Sequence, residues 1–330
     1  MADVIHWGLL GAGRIARKFA ASLRELPDAR LGTVGSRDPD RAQALAAELG
    51  GPRAHASYEA LVQDPGVDVV YVATRHPHHL EAMRLCLEAG KPVLCEKPFT
   101  VNAREAATAI QLARQRKVFL MEAMWTRFFP AMIRLRSMLA AGCIDEPRML
   151  QGDFGFLNDW KPEGRHLDLA LGGGALLDVG VYLVSLSSMF FGPPTQIASS
   201  AFLGSTGVDE TCALVFRHRR GEISSLAAAI RTDTRKEATL YGTEGRIEIH
   251  VPFWKPRAFT VVPRKGEPER VELPYPNLGY QFEAAHVMEC LRQGKGESDI
   301  MSLAETLSVM ETLDKVRAPW GLKYPADAVC

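Results

Sequence analysis

Ile5-His6-Trp7-Gly8-Leu9-Leu10-Gly11-Ala12-Gly13-Arg14-Ile15-Ala16 places an apolar run, a glycine turn and the start of a helical pattern in immediate succession. Each small residue has a physical role in such a turn. Gly11 permits the tight bend, Gly13 lets the backbone approach a pyrophosphate, and Ala16 lets helix and strand pack closely at an anion-binding helix N-terminus. A bare glycine match is weak evidence, but a strand before it and a helix after it point to dinucleotide binding. Arg14 and Ile15, in the first helical turn, join Gly11 and Gly13 as candidate nucleotide contacts.

Outward from this turn, short apolar runs alternate with amphipathic helical patterns, the signature of parallel βαβ units. Strands are expected at Ile5–Leu10, Arg30–Gly35, Val67–Ala73, Pro92–Cys95 and Val118–Met121, with helices near Ile15–Leu26, Pro39–Leu49, His78–Ala89 and Ala103–Arg116. Asp38-Pro39 and Thr100-Val101-Asn102 supply helix starts, while Gly50-Gly51 and Gly90 supply stops. After about Met124 the texture changes to successive strand-like runs at Arg148–Phe154, Thr195–Phe202, Thr211–Phe216, Glu222–Ile230, Ala238–Tyr241, Arg246–His250, Phe259–Val262 and Arg270–Leu273. Helices interrupt or close this region at Pro130–Ala141, Ala175–Phe190, Gln281–Gln293 and Ser302–Val316. The pattern predicts an α/β domain over residues 1–124 and an α+β domain with a large, mainly antiparallel sheet over 125–330, with a C-terminal helix free to pack back on the first.

Composition bounds the function. A chain of 330 residues with 47% apolar content suits two medium domains. Lysine plus arginine equals aspartate plus glutamate at 39 each, so no summed field draws the chain to nucleic acid or an anionic membrane. Six scattered cysteines form no Cys-x-x-Cys pair, which argues against a disulfide framework or zinc knuckle. The N-terminus shows no signal pattern, and no apolar run is read as long enough to span a bilayer. A soluble, cytoplasmic protein whose partners are small molecules or other chains is expected.

The end of the second strand selects between nicotinamide cofactors, because an acidic side chain there accepts from the ribose 2′-hydroxyl and repels a 2′-phosphate. Here it reads Gly35-Ser36-Arg37-Asp38-Pro39-Asp40-Arg41. Ser36 stands where an aspartate would favour NAD, and Arg37 with Arg41 can clamp a phosphate. NADP is the expected cofactor, with NAD as the alternative if the arginines are merely solvated and Asp38 meets the ribose.

A further segment, Val93-Leu94-Cys95-Glu96-Lys97-Pro98, holds a lysine between a carboxylate and a proline just past an apolar run. With Thr74-Arg75-His76-Pro77-His78-His79, Met121-Glu122-Ala123-Met124-Trp125-Thr126-Arg127-Phe128-Phe129-Pro130, Gly172-Gly173-Gly174-Ala175-Leu176-Leu177-Asp178-Val179-Gly180-Val181-Tyr182 and Glu283-Ala284-Ala285-His286, the chain resembles the Gfo/Idh/MocA oxidoreductases over nearly its whole length. Within that family it resembles the branch of dimeric dihydrodiol dehydrogenases and NADP-dependent D-xylose dehydrogenases. The resemblance implies a Rossmann domain with a doubly wound parallel sheet, then an open-faced sheet domain, with reaction at their interface.

The residues then take candidate roles. Lys97 follows a strand of the parallel sheet and so lies at its carboxyl edge, suited to relaying a proton from a substrate hydroxyl as hydride leaves the same carbon; Glu96 and Lys97 are also candidate cofactor contacts, and Lys97 a candidate substrate contact. The alternative is a surface lysine paired to Glu96. A cis bond before Pro98, which the resemblance suggests, would fix where Lys97 points. Asp178 and Tyr182, four apart in one helical pattern, are expected on one face, Asp178 holding substrate hydroxyls and Tyr182 orienting or protonating the reacting oxygen. Many relatives carry histidine at the Tyr182 position, and the alternative for Tyr182 is a core aromatic with its hydroxyl satisfied by backbone. Thr74, His76 and His79 lie near the cofactor edge, with His79 a candidate assistant in proton transfer; no metal site is expected from the histidines. Trp125 and Arg127 are candidate cofactor or ligand contacts, Arg127 being equally readable as an interdomain ion pair. Phe154, Phe156 and Arg165 are candidate substrate-lining residues.

The expected reaction is hydride transfer between NADP and C–OH/C=O of a sugar such as D-xylose or a cyclic trans-diol. A keto-sugar or dicarbonyl reductase with the same site, and a non-catalytic NADP sensor, are the alternatives. The large open sheet, unable to leave an apolar face wet, predicts a homodimer.

Overall fold

The computed structural model describes residues 3–328. Its first sheet contains six parallel strands: β1 (Ile5–Leu10), β2 (Ala29–Gly35), β3 (Arg53–His55), β4 (Val69–Val72), β5 (Val93–Glu96) and β6 (Leu120–Ala123). They lie in the order β3-β2-β1-β4-β5-β6, so the winding reverses between β1 and β4. Ligands bind outside the carboxyl ends of the strands at such a reversal. β4, β5 and β6 are buried at every position, Glu96 of β5 and Glu122 of β6 included, as parallel strands are when helices cover both faces. The connecting helices are α1 (Arg14–Leu23), α2 (Pro39–Glu48), α3 (Tyr58–Val62), α4 (His79–Glu88) and α5 (Ala103–Arg116). Asp38 caps α2 by accepting from the N–H groups of Asp40 and Arg41, and Asn102 caps α5 by accepting from Glu105.

β3 and α3 were not among the expected elements. Both are too short to show a period, and β3 is held from outside its own sequence. The Asp64 carboxylate accepts from Arg53 at 2.5 Å and lies 2.9 Å from His55 Nε2, tying both ends of that strand to the turn after α3.

The second sheet has eight strands: β7 (Pro147–Gly155), β8 (Gln196–Leu203), β9 (Asp209–Arg217), β10 (Ile223–Ala229), β11 (Ala238–Gly242), β12 (Gly245–Ile249), β13 (Ala258–Pro263) and β14 (Glu269–Glu272). Their order is β14-β13-β12-β11-β7-β10-β9-β8; only the β7–β10 pairing is parallel. One face is buried through Cys212, Leu214 and Phe216 of β9, as the strict alternation of that strand dictates. The helices of the second half are α6 (Pro130–Ala140), α7 (Val181–Phe191), α8 (Tyr280–Arg292) and α9 (Leu303–Arg317).

The chain divides into one unit of Met1–Trp125 with Pro276–Leu307 and another of Thr126–Tyr275 with Ser308–Cys330. This differs from a continuous second domain over 125–330, because α8 belongs to the first unit. α8 packs on α1, with Tyr280 edge-on to Phe19, and Arg292 reaches Asp28 at 2.6 Å.

Two local expectations are corrected. The stretch expected as one helix over Ala175–Phe190 begins with a π turn at Leu176–Gly180 before α7. That wider turn means α-helical spacing does not describe the backbone from Asp178 to Tyr182. The run Leu169–Phe191 is also long and apolar enough to cross a bilayer by length and composition, contrary to the sequence reading; 83% of its apolar window is buried inside the protein, which marks a core helix.

Candidate active site

The glycine turn meets two different demands. Gly11 has φ +110°, and a Cβ there would lie 2.8 Å from the Ala73 carbonyl oxygen at the end of β4, so the fold itself requires glycine. Gly13 has φ −87°, and a Cβ there would meet nothing nearer than 3.9 Å. Neither conformation nor packing demands glycine at Gly13, so the space above it suits an approaching ligand. α1 carries no side-chain cap and no acidic residue in its first turn, leaving its N-terminal N–H groups and positive dipole end to an anion. Thr74 Oγ1, just past β4, is buried without a hydrogen-bond partner. An open cradle, an uncapped helix start and an orphaned hydroxyl at the sheet reversal fit a dinucleotide pyrophosphate. Arg14 is exposed and Ile15 half-buried on the same turn.

At the end of β2, Ser36 is buried and its Oγ accepts from the Asp38 N–H at 3.1 Å. Asp38 Oδ1 is engaged by the α2 N-terminus. Arg37 is exposed, with its guanidinium 5.9 Å from the Tyr58 ring centre. Burial raises the Tyr58 phenol, opposed by the charges of Arg37 and Arg41; burial and Arg37 lower the His78 imidazole. Arg37 and Arg41 thus put positive charge beside Tyr58, opposed in part by the Glu81 carboxylate.

Lys97 follows β5, two strands from β1, and the Lys97–Pro98 peptide is cis. The turn is fastened from behind. Glu96, buried, accepts from the Tyr71 hydroxyl through Oε1 and from the Lys97 backbone N–H through Oε2 at 3.1 Å. His79 is fully buried at the start of α4, with Nδ1 3.0 Å from the Pro98 carbonyl and Nε2 3.2 Å from the Thr74 carbonyl. Burial lowers its pKa to about 4, so the ring is neutral and donates to one of the two carbonyls at a time. This corrects the assignment of His79 to proton transfer: its nitrogens face backbone, and no part of it is exposed. His76 stands edge-on to His79 with ring centres 5.8 Å apart. Among the described residues no group of His, Cys, Asp and Glu is placed to hold a metal ion. Trp125 is buried and stacks on Tyr280 at 4.2 Å and 12°, so one face of the expected ligand wall is covered by protein.

The second unit gathers the other candidates. Asp178, buried in the π turn, accepts from Arg165 at 3.0 Å and lies 3.4 Å from His166 Nε2. Phe154 stacks on Trp254 at 3.8 Å and 12°, and packs against Tyr182 with ring centres 5.6 Å apart. Phe156 stands edge-on to His166. A carboxylate, a guanidinium, an imidazole and an aromatic wall are thereby grouped, as recognition of a hydroxylated ring requires. Arg127 is buried, and its Nε and Nη2 donate to the hydroxyl and carbonyl of Ser185 on α7.

His166 and Trp254 were missed by sequence reasoning. A signal for His166 existed in Gly172-Gly173-Gly174. A Cβ at Gly173 would lie 2.7 Å from the His166 carbonyl, which also accepts from the Gly174 N–H at 2.9 Å. Gly174 is fixed too, since a Cβ there would reach 2.1 Å from Asp209 Oδ1. Asp209 Oδ2 in turn accepts from the Leu176 N–H at 2.7 Å and anchors the π turn, with burial pushing its carboxyl up to about 7.

The comparisons agree with this geometry. Residues 5–124 match the family model described as an oxidoreductase family with an NAD-binding Rossmann fold, and residues 132–248 match the GFO/IDH/MocA C-terminal domain. The chain is 40% identical to trans-1,2-dihydrobenzene-1,2-diol dehydrogenase of Mus musculus, over 98% of this chain and 99% of that protein. The same enzyme of Homo sapiens is 39% identical over equal shares. Among solved structures, KijD10, a 3-ketoreductase from Actinomadura kijaniata in complex with NADP and TDP-benzene, superposes with a TM-score of 0.85 at 25% identity, over 96% of this chain and 97% of that one. Aldose-aldose oxidoreductase from Caulobacter crescentus gives a TM-score of 0.86 at 22% identity, over 95% and 96%, a likeness of fold. The chain belongs to the Gfo/Idh/MocA oxidoreductase family. It is an oxidoreductase linked to a nicotinamide dinucleotide.

Proposed function

We propose that the protein is an NADP-dependent dehydrogenase of secondary alcohols, acting on a cyclic trans-diol or an aldose such as D-xylose, with NAD as a weaker cofactor. The observation that carries this reading is the Lys97 turn at the carboxyl edge of β5, held by Glu96 and His79 beside the Gly11–Gly13 cradle. Relatives such as the Mus musculus and Homo sapiens trans-1,2-dihydrobenzene-1,2-diol dehydrogenases match 98% of this chain, and the KijD10 structure holds NADP, which supports both substrate class and cofactor.

In this reading Gly11, Gly13, Thr74 and the α1 N-terminus hold the pyrophosphate, while Arg37 and Arg41 hold the 2′-phosphate. The bound dinucleotide supplies the hydride acceptor in oxidation and the donor in reduction. Lys97 takes the hydroxyl proton as hydride leaves the carbon, and returns it in reduction. Asp178, set by Arg165 and His166, accepts from the substrate hydroxyls, and Tyr182 orients the reacting oxygen. Phe154, Phe156 and Trp254 cover the apolar face of the ring. Absorbance of NADPH formed from NADP with trans-1,2-dihydrobenzene-1,2-diol, D-xylose and D-glucose tests this. Turnover of a diol or an aldose is expected, and NADP binding without turnover of any would favour a sensor.

We also propose a homodimer through the outer face of the second sheet. Phe202 of β8 and Val215 of β9 are 65% and 47% exposed there, among Ala198, Ser200, Thr211 and Ala213. A second copy is the natural cover for small and apolar side chains on a broad flat face. Val215→Glu is expected to convert a dimeric mass in solution to a monomeric one; a wild-type monomer would refute the proposal. Among the described residues five cysteines are free and four of these are buried, which suits a reducing cytoplasm.

A further inference from the structure

Asp178 is carried by a stretch of backbone that does not stiffen itself. Gly172 and Gly174 have φ +70° and +118°, and three successive glycines give a chain its widest conformational freedom. Side chains cannot restrain this loop from within. A Cβ at Gly173 would lie 2.7 Å from the His166 carbonyl oxygen, and one at Gly174 would collide with Asp209 Oδ1. The restraint comes from elsewhere in the second unit. Tyr324, 2% exposed in the segment after α9, donates its hydroxyl to the Gly173 carbonyl at 2.8 Å. On the other edge of that same peptide, the Gly174 N–H donates to the His166 carbonyl at 2.9 Å. The next carbonyl, of Gly174, accepts from the Asp178 N–H at 3.2 Å, and the Asp178 carboxylate closes the ring 3.4 Å from His166 Nε2. One peptide plane thus sets both His166 and Asp178, and Tyr324 holds its carbonyl edge. Tyr324 is itself fastened. Arg317, buried at the end of α9, grips both oxygens of Asp327 at 2.5 and 2.9 Å, and Asp327 Oδ2 also accepts from the Tyr324 N–H at 2.8 Å. The Arg317 guanidinium lies 5.2 Å from the Tyr324 ring centre, so this fork fixes the ring whose hydroxyl meets Gly173.

We propose that Tyr324 is a positioning residue for substrate recognition: by holding the Gly173–Gly174 peptide it sets the Asp178 carboxylate where it accepts from the substrate hydroxyls. The inference rests on the reading of Asp178 as that acceptor. Asp209 secures the same backbone a step further on, through the Leu176 N–H at 2.7 Å. Loss of the Tyr324 hydroxyl takes the donor from the Gly173 carbonyl and lets the peptide turn, which disturbs its contacts to His166 and Asp178 together. Hydroxyls held equally in the ground and transition states act on KM rather than on kcat, so looseness at Asp178 is read in KM.

The test measures kcat and KM for whichever of trans-1,2-dihydrobenzene-1,2-diol and D-xylose is turned over, with NADPH affinity and thermal unfolding, in Tyr324→Phe, Asp178→Asn and the double variant. Tyr324→Phe is expected to raise KM about tenfold, with kcat within about threefold and NADPH affinity within about twofold of wild type. A tyrosine of merely structural value would lower the unfolding temperature and the amount of active enzyme, which lowers kcat and leaves KM in place. Because Tyr324 acts through Asp178, its effect on KM should shrink to about twofold or less in the Asp178→Asn background. An unchanged KM in Tyr324→Phe, or an equal rise in both backgrounds, would overturn the proposal. If Tyr324→Phe does not fold, Asp327→Ala replaces it: this opens the Arg317 fork at a half-buried position and should raise KM about threefold at unchanged kcat. No rise there refutes the proposal. A raised KM in Asp178→Asn beside an unmoved Tyr324→Phe fails this inference alone; a wild-type KM in Asp178→Asn fails the Asp178 reading instead.

Discussion

His79 Nδ1 lies 3.0 Å from the Pro98 carbonyl oxygen, while its Nε2 lies 3.2 Å from that of Thr74, so one imidazole joins the loop after β4 to the loop after β5. The two loops are therefore linked through a ring whose nitrogens both face backbone carbonyls. His79→Phe should lower turnover about tenfold or more by loosening the turn, yet preserve the shape of the pH–rate profile. Loss of a limb from that profile would return His79 to the chemistry.

The same residue predicts a stability profile. Its pKa falls from 6.5 unfolded to about 4 folded because burial disfavours the charged ring. The unfolded chain then binds more protons between these values, so the contribution is full above about pH 6.5 and is lost as pH falls toward 4, on the order of 3 kcal/mol. Denaturant unfolding across this window should show a steeper fall for wild type than for His79→Phe. Parallel curves would contradict the burial argument.

Gly11 and Gly13 should separate folding from binding. Gly11→Ala forces a side chain against the Ala73 carbonyl at positive φ and is expected to cost several kcal/mol, of order 2–4. Gly13→Ala meets open space and should cost less than about 1 kcal/mol, yet weaken NADPH binding tenfold or more. Thermal unfolding and cofactor titration of both variants read the contrast; equal NADPH affinity in Gly13→Ala would remove the cradle.

Cofactor choice should reside in charge at the end of β2. Arg37→Ala and Arg41→Ala are each expected to raise the Kd for NADPH by about 10- to 100-fold, more at low salt, with little effect on NADH. The ratio of kcat/KM for the two cofactors measures this. A ratio unchanged in both variants would place the selection elsewhere.

Most of the fold was readable because its periods are long and its punctuation explicit. Asp38-Pro39 and Asn102 start helices as capping chemistry says they should, and β1 begins and ends where the apolar run does. β3 escaped because Asp64, rather than any local period, holds it. The return of α8 to the first unit is a tertiary choice, made by Tyr280 and Phe19 across a long separation in sequence. Of the site, the glycine turn, Ser36-Arg37 and Glu96-Lys97-Pro98 were legible from residue type and place after a strand. His166 and Trp254 were not, since loops carry no period, and the engagement of His79 by two backbone carbonyls is visible only in three dimensions.

The central claim is that Lys97 relays the proton while other groups bind the dinucleotide. Turnover of trans-1,2-dihydrobenzene-1,2-diol or D-xylose by Lys97→Met, measured beside its NADPH affinity, tests it most directly. The account predicts a fall in kcat of about 100-fold or more with NADPH affinity within about threefold of wild type. Wild-type turnover in a variant that binds NADPH normally would contradict it.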